Sequence, residues 1–200
     1  MHCVLNTDGL VEYHPSFLTK AEAEQYFRLL KAEVDWQQDQ LIIFGKHITT
    51  KRKIAWYGDQ DYEYIYSNKT KVAKAWTASL SAIKNQLQIY TGEQFNSCLL
   101  NYYHDGNEGV GWHSDNETMM KKHATIASIS LGATRTFLFR HKYSQEQHAI
   151  ELENASLLLM KEATQDYWKH QLPIRKRIKT PRINLTFRQF DTSLTCRNHI

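Results

Sequence analysis

The chain has 200 residues, of which 42% are hydrophobic and 23% are charged, a composition typical of one soluble globular domain. A formal net charge of +4 is a mild preference for polyanions, below the level at which charge alone indicates a nucleic-acid-binding protein. The few cysteines have no metal-site spacing and no apolar run could cross a membrane, so we expect a cytoplasmic protein, or a nuclear one in a eukaryote, without membrane contact.

Two helices are predicted in the first half of the chain. Thr19 and Glu22 have the spacing of a capping box, in which the two side chains satisfy free backbone N–H groups at the start of a helix. An apolar stripe follows at helical spacing, formed by Tyr26, Phe27, Leu30 and Val34. A second helix is predicted over about residues 71–90, with an apolar face formed by Val72, Trp76, Leu80, Ile83, Leu87 and Tyr90. Both stripes indicate packing against a sheet.

Short β-rich runs dominate the second half of the chain, and two earlier runs precede them. They are predicted at residues 41–44, 63–66, 97–103, 125–131, 136–140, 148–152, 156–160, 167–172 and 183–187. Two helices followed by a series of strands predict an α+β fold, in which the helices support one face of a β-sandwich or jelly roll. No repeat, linker or low-complexity tract indicates a domain boundary.

The sharpest local signal is the motif GWHSD at residues 111–115. Side chains at i and i+2 of a strand point to the same face, so His113 and Asp115 would present an imidazole nitrogen and a carboxylate oxygen side by side. A second histidine would complete the triad of two histidines and one carboxylate that is typical of non-haem Fe(II) oxygenases. The alternative is a structural hydrogen bond between the two side chains.

Four downstream histidines are candidates for the third ligand. His123 follows two lysines and has the context of a turn, whereas His141 and His148 flank the polar tip of a predicted hairpin. His170 lies in a predicted strand of aromatic character and is the best candidate on context.

The segment RINLTFR at residues 182–188 alternates polar and apolar side chains. On one face of such a strand lie Arg182, Asn184, Thr186 and Arg188. Burying two guanidinium groups without a partner is costly, and a dianionic ligand would remove that cost because arginine pairs bidentately with carboxylates. The alternative is the solvent-facing side of an ordinary amphipathic strand.

Together, HSD, the distal His170 and RINLTFR resemble the AlkB family of Fe(II)- and 2-oxoglutarate-dependent dioxygenases, which carry HxD, a distal histidine and RxNxTxR. The resemblance covers nearly the whole chain and is closest to the branch that includes the nuclear duplex-DNA repair enzymes of animals. It extends to FGK at Phe44, YGD at Tyr57, NYY at Asn101, SLGATRTFLFRHK around Arg135 and the LP that follows His170. It implies a double-stranded β-helix in one domain over residues 1–200, with helices and a nucleotide-recognition region in 1–96 and a jelly-roll catalytic core in 97–190.

The resemblance also implies roles for individual residues of the catalytic core. Fe(II) would be bound by His113, Asp115 and His170, with 2-oxoglutarate as cosubstrate and O2 as oxidant. Arg182 would pair with the distal carboxylate of 2-oxoglutarate, and Arg188 would lie near the carboxylate that chelates the iron. Further cosubstrate contacts are implied for Asn101, Tyr103, Asn184 and Thr186.

Substrate contacts are implied for two pairs of residues. Tyr64 and Tyr66 match the base-contacting aromatic positions, and Tyr66 would stack the base against His113. Asn116 and Glu117 match positions that contact the exocyclic amine of the base, although Asn116 departs from the acidic residue of the family pattern. For the two tyrosines the alternative is ordinary packing between strands.

Phe44 and Arg52 match a loop that enters the duplex in the family, with an ordinary strand phenylalanine and a surface arginine as the alternative. Basic residues cluster near this loop and again before the RINLTFR strand, at Lys46, Lys51, Arg52 and Lys53 and at Arg175, Lys176, Arg177 and Lys179. Such clusters could hold phosphates, or be solvated loops.

The implied reaction is oxidative demethylation of N-alkylated bases such as 1-methyladenine and 3-methylcytosine. It would release formaldehyde and convert 2-oxoglutarate and O2 to succinate and CO2. The implied partner is alkylated DNA, single- or double-stranded, with RNA as a further substrate, bound by a monomer. The alternatives are the same chemistry on methylated RNA or a protein side chain, a non-catalytic nucleic-acid-binding module, and a zinc hydrolase, which would leave Arg182 and Arg188 without a role.

Overall fold

The computed structural model describes residues 1–43, 46–66 and 69–192, with side chains described outside 39–48 and 63–71. The elements of these residues, in chain order, are β1 (His2–Leu5), β2 (Leu10–His14), α1 (Lys20–Glu33), β3 (Gln37–Ile43), β4 (Lys46–Gly58), β5 (Glu63–Tyr66), β6 (Lys69–Val72), α2 (Ala78–Thr91), β7 (Ser97–Tyr103), β8 (Val110–His113), β9 (Ile126–Gly132), β10 (Arg135–His141), β11 (Gln147–Leu152), β12 (Ser156–Lys161), α3 (Thr164–Tyr167), β13 (Trp168–Leu172) and β14 (Arg182–Arg188). No helix in this part of the chain is long and apolar enough to cross a membrane.

The strands form two antiparallel sheets and a separate hairpin. The large sheet has the order β1-β2-β12-β9-β14-β7-β4-β3, the small sheet has the order β11-β10-β13-β8, and β5 pairs with β6. Side chains of both sheets meet in one apolar cluster, in which Ile126 and Met160 of the large sheet join Phe139 and Trp168 of the small sheet. The two sheets are therefore the layers of a sandwich, which confirms the predicted α+β jelly roll.

The helices cover the opposite face of the large sheet. Leu30 of α1 and Leu80, Ile83 and Leu87 of α2 are fully buried in one cluster with apolar residues of β7, β9 and β14. The capping box of α1 is confirmed, because Thr19 Oγ1 accepts from the Glu22 N–H while Glu22 Oε2 accepts from the Thr19 N–H, at 3.2 and 2.8 Å. The two predicted helices thus support the sheet from outside the sandwich.

The predicted start of the second helix was wrong. Residues 69–72 pair with β5 instead, Thr77 caps the helix through its side chain, and the first helical residue is Ala78. Val72 is consequently 46% exposed, and Trp76 reaches the core from the preceding loop by stacking on Phe187 with ring centroids 6.1 Å apart. Cross-strand pairing overrode the helical spacing at Val72.

β14 lies at the centre of the large sheet, between β7 and β9. Asn184 is directly opposite Asn101 on β7 and Ser130 on β9, so polar positions of three adjacent strands are in register. Ile183, Leu185 and Phe187 point to the other side, into the cluster beneath the helices. The predicted division of this strand into two faces is confirmed, and its polar face is turned towards the interior of the sandwich.

Candidate metal centre and cosubstrate pocket

Three potential metal ligands converge between the two sheets. His113 and His170 are directly opposite each other on β8 and β13, and their Nε2 atoms are 3.1 Å apart. Asp115 Oδ1 lies 3.6 Å from each of these nitrogen atoms. Two imidazole nitrogens and one carboxylate oxygen this close together form the donor set of a facial triad, which leaves coordination positions open for other ligands.

The secondary structure that carries these ligands differs from the prediction in one respect. β8 ends at His113, so His113 and Asp115 do not share a strand, and Asp115 lies in the loop that follows. The other three histidines are elsewhere: His123 pairs with Asp166, His141 with Asp8, and His148 with Glu146. Among the described histidines, His170 is therefore the one that faces the HSD motif.

The hydrogen bonding of His113 leaves its Nε2 atom free to bind a metal. His113 Nδ1 is 2.8 Å from the Gly111 carbonyl, which can only accept, so Nδ1 carries the proton and Nε2 presents its lone pair. Burial, followed by the neighbouring His170, lowers the pKa of His113 and favours the neutral ring. His170 itself is buried and stacks on Phe137 with ring centroids 5.3 Å apart, which fixes the plane of the second ring.

Asp115 is 6% exposed and is held by Arg188, whose Nη2 donates to Asp115 Oδ2 at 2.7 Å. Burial alone would raise the pKa of the Asp115 carboxyl. The Arg188 guanidinium and the two histidines oppose that effect and hold this pKa well below its ordinary value. The carboxylate is therefore ionised, with Oδ2 occupied by Arg188 and Oδ1 turned towards the histidines.

A cavity of about 50 Å³, here called the metal pocket, opens beside the triad. Its lining consists of Tyr103, Val110, His113, Asp115, Ser128, Phe137, Met160, His170, Leu172, Arg182, Asn184, Thr186 and Arg188. All four polar residues of β14 face it and are buried. The solvent-facing alternative for this strand was therefore wrong.

A hydrogen-bond network fixes the polar wall of the metal pocket. Asn184 Nδ2 donates to Ser128 Oγ at 2.8 Å, and Thr186 Oγ1 donates to Asn184 Oδ1 at 3.1 Å. Arg182 Nη2 donates to Ser130 Oγ at 2.9 Å. The two serines were not among the predicted site residues, although their alternation along β9 is visible in the sequence.

Arg182 has the environment of an anion-binding residue. It is 2% exposed, its Nε atom has no hydrogen-bond partner among the described residues, and no described carboxylate pairs with it. Burial, with a contribution from the positive charge of Arg135, lowers the pKa of Arg182 to about 10, so the side chain is still charged at neutral pH. A buried guanidinium with an unpaired Nε donor fits a carboxylate ligand such as the distal end of 2-oxoglutarate.

Tyr103 completes this end of the pocket. The Arg182 guanidinium carbon lies 5.6 Å from the centre of the Tyr103 ring, and that of Arg135 lies 5.7 Å from the same ring. Asn101, on the same strand, lines a neighbouring cavity instead of the metal pocket, and its Oδ1 atom is buried without a partner in the described structure. The cosubstrate roles of Tyr103 and Asn101 stay predictions.

The neighbouring cavity, here called the large cavity, has a volume of about 400 Å³. It is lined by Asp35, Gln37, Gln38, Arg52, Ile54, Ala55, Trp56, Val72, Lys74, Leu99, Asn101, Glu117, Met119, Arg188 and Phe190. Arg188 lines both cavities, so the large cavity adjoins the metal pocket. Most of its wall is apolar, and Trp56 contributes an aromatic surface backed by Tyr62 and Phe190.

The predicted substrate residues divide into four groups. Glu117 and Arg52 line the large cavity, whereas Asn116 is exposed and is not part of the lining. The backbones of Tyr64 and Tyr66 belong to β5, but their side chains lie outside the described structure. Phe44 lies outside the described residues altogether. Trp56 was not predicted as a site residue, because only the pairing of β4 with β7 brings it to the wall of the large cavity.

Sequence comparisons identify the family of this site. The profile of the 2OG-Fe(II) oxygenase superfamily matches residues 10–188. The chain is 39% identical over 196 residues to the DNA oxidative demethylase ALKBH2 of Mus musculus, covering 92% of this chain and 82% of that protein. The chain belongs to the AlkB family of 2-oxoglutarate- and Fe(II)-dependent dioxygenases.

Two further comparisons agree with this assignment to the AlkB family. The alpha-ketoglutarate-dependent dioxygenase alkB homolog 3 of Homo sapiens is 36% identical over 185 residues, with 88% of this chain and 64% of that protein covered. A solved structure titled "The structure of OsALKBH1" superposes with a TM-score of 0.59 over 90% of this chain and 97% of that chain. At 16% identity, this second match shows the fold alone. As a member of this family, the enzyme uses Fe(II), 2-oxoglutarate and O2.

Proposed function

We propose that this AlkB-family enzyme removes methyl groups oxidatively from N-alkylated bases in DNA, such as 1-methyladenine and 3-methylcytosine. Relatives named DNA oxidative demethylase ALKBH2 align with 92% of the chain, which supports this reaction class. Together with O2, bound iron and 2-oxoglutarate supply the oxidising chemistry that hydroxylates the methyl group, so that formaldehyde leaves and succinate and CO2 are formed. The protein supplies binding, orientation and exclusion of water.

The metal pocket supplies the binding and orientation of the cofactors. His113, Asp115 and His170 hold the iron, and Arg188 keeps the Asp115 carboxylate ionised and oriented. Arg182 binds the distal carboxylate of 2-oxoglutarate, which gives its unpaired Nε donor a partner of opposite charge. The buried walls contributed by β9 and β14 keep bulk water from this part of the site.

The observation that carries the substrate assignment is Glu117. Its Oε2 atom is buried without a hydrogen-bond partner in the described structure, and the residue lines the large cavity next to the metal pocket. Arg188 Nη2 lies 4.0 Å from Glu117 Oε1, so the other carboxylate oxygen is partly compensated. A carboxylate on the wall of a largely apolar cavity suits a flat cationic group, and bases methylated at N1 or N3 are flat cations.

We further propose that the enzyme acts as a monomer on single-stranded or duplex DNA, and also on RNA. A base within a duplex cannot reach a buried metal pocket, so a duplex substrate would have to present the base flipped out. The exposed basic cluster between β13 and β14 would hold the flanking phosphates, and it consists of Arg175, Lys176, Arg177 and Lys179.

The test is aerobic turnover of oligonucleotides that contain one 3-methylcytosine, in single-stranded DNA, duplex DNA and RNA, followed by mass spectrometry. We expect loss of one methylene mass from DNA that requires both Fe(II) and 2-oxoglutarate, with one succinate formed per methyl group removed. Succinate formation without any mass change in the three oligonucleotides would contradict the proposed substrate while leaving the dioxygenase intact. Comparison of the three demethylation rates shows which form of nucleic acid the enzyme prefers.

A further inference from the structure

The loop that carries Asp115 lacks the support that a β-strand would give it. Pairing between β8 and β13 reaches His113 and His170, and β8 ends there. The main-chain N–H of Asp115 therefore has no ladder partner, although the residue is buried. Because a buried N–H without an acceptor costs free energy, something other than a strand has to satisfy it.

Gln165 satisfies that N–H group. Its Oε1 atom accepts from the Asp115 nitrogen at 2.8 Å. Beside it, Ser114 Oγ donates to the carbonyl of Trp168 at 2.9 Å. The first bond joins the loop to α3, and the second joins it to the first residue of β13, the strand that carries His170. One segment thus sets the positions of two ligands of the triad, the loop carboxylate and the strand histidine.

The segment that carries Gln165 is itself firmly anchored. Lys142 Nζ donates to the Gln165 carbonyl at 2.8 Å, and Thr164 Oγ1 accepts from the Leu10 N–H at 3.1 Å. The Trp168 indole N–H donates to the Thr7 carbonyl at 3.0 Å. The backbone that carries the Gln165 side chain is therefore held by the residue after β10, by the turn between β1 and β2 and by the first residue of β2.

We propose that Gln165 is a positioning residue for the metal centre, acting through the backbone of Asp115. Arg188 fixes the outer oxygen of the carboxylate, and Gln165 fixes the main chain from which that carboxylate projects. Gln165 lines neither the metal pocket nor the large cavity. Removal of a residue that orients a metal ligand in this way typically lowers metal affinity about tenfold to a hundredfold. This inference rests on the metal site and is independent of which substrate the enzyme demethylates.

Gln165→Leu tests the proposal, because leucine has a similar volume but cannot accept a hydrogen bond. Binding of Co(II), a probe that needs neither turnover nor nucleic acid, is followed by titration of its visible absorption bands in the purified protein. We expect the Kd for Co(II) to rise about tenfold. Gln165→Glu retains an acceptor at the same position and is expected to restore most of the affinity.

Gln88→Leu is the matched control. Gln88 Oε1 also accepts a main-chain N–H, that of Phe95, at 3.0 Å, but at the end of α2, outside the sandwich. We expect urea unfolding to show similar losses of stability in the two leucine variants, with Co(II) affinity reduced only in Gln165→Leu. If Gln165→Leu does not fold, Gln165→Asn, which keeps the amide but is one methylene too short to reach Asp115, is expected to show the same weaker binding.

Two outcomes would overturn the role of Gln165. One is wild-type Co(II) affinity in Gln165→Leu, or in Gln165→Asn if the leucine variant does not fold. The other is an equal loss of affinity in Gln88→Leu, which would assign the effect to global stability. Failure of the demethylation assay with normal Co(II) results would instead contradict only the proposed substrate.

Discussion

The metal pocket and the large cavity share Arg188 but are built in different ways. The wall of the metal pocket comes mainly from paired strands, and its polar side chains are bonded to one another across β9 and β14. The large cavity draws on β3, β4 and β7 and on the loops after β8 and β14, and its wall is mostly apolar. The first arrangement fixes geometry for one cosubstrate and one metal, whereas the second leaves room for a larger planar group. Substitutions in the two cavities should therefore affect different kinetic parameters.

The largest effect is expected for Asp115→Ala. Removal of the carboxylate takes away one of three ligands, and it also leaves Arg188 buried with only the more distant Glu117 carboxylate, at 4.0 Å, to oppose its charge. Because loss of a mere orienting residue already costs about tenfold to a hundredfold in metal affinity or activity, we expect succinate formation to fall by more than about 100-fold. Undiminished succinate formation would show that Asp115 is not a ligand.

A second variant is needed to separate loss of the ligand from loss of stability, because breaking a buried ion pair destabilises a protein by about 3–5 kcal/mol. Asp115→Asn keeps the volume and an acceptor for Arg188 while removing the charge, so it should unfold in urea closer to the wild type and still lose activity. Asp166→Asn, at an exposed carboxylate that pairs with His123, is the control and should leave succinate formation unchanged.

A smaller effect, confined to the cosubstrate, is expected for Arg182→Met. A hydrogen-bonded charge pair contributes about 1.5–3 kcal/mol, so the KM for 2-oxoglutarate should rise roughly tenfold to a hundredfold. The ligand-free variant should be at least as stable as the wild type, because methionine removes a buried charge that has no carboxylate partner in the described structure. Steady-state kinetics and urea unfolding measure the two effects, and Arg28→Met, on the exposed face of α1, is the control. An unchanged KM would remove Arg182 from the cosubstrate site.

The metal pocket was largely predictable from sequence, because its signals are local. The alternation of RINLTFR fixes which side chains share a face, and pairing with β7 and β9 on both sides then buries that face. His170 followed from its aromatic context and from the family resemblance. Gln165 was not predictable, because the need for an acceptor arises only from the end of β8 at His113.

The large cavity was harder to predict, because no period connects its residues. Trp56 and Glu117 are 61 positions apart in the sequence and meet only through the pairing of β4 with β7 and the course of the loop after β8. The error at the start of α2 has a related cause. Val72 fits a helical stripe, yet the hairpin partner in β5 decides its conformation. Long-range strand pairing, which no local sequence pattern contains, determines both the lining of the large cavity and the start of α2.

The smallest of these effects, and the one that separates the two cavities most directly, is expected for Glu117→Gln. The substitution keeps the shape of the side chain and removes its charge, so a cationic base loses a charge-assisted contact that is worth about 1.5 kcal/mol or more, or roughly tenfold. We therefore expect kcat/KM for 3-methylcytosine in DNA to fall about tenfold, while the KM for 2-oxoglutarate stays at the wild-type value because Glu117 does not line the metal pocket. Asn116→Ala, at the exposed neighbouring residue, is the control and should change neither parameter. A parallel rise in the KM for 2-oxoglutarate in Glu117→Gln would mean that Arg188 couples the two cavities, and the functional division between them would then be wrong.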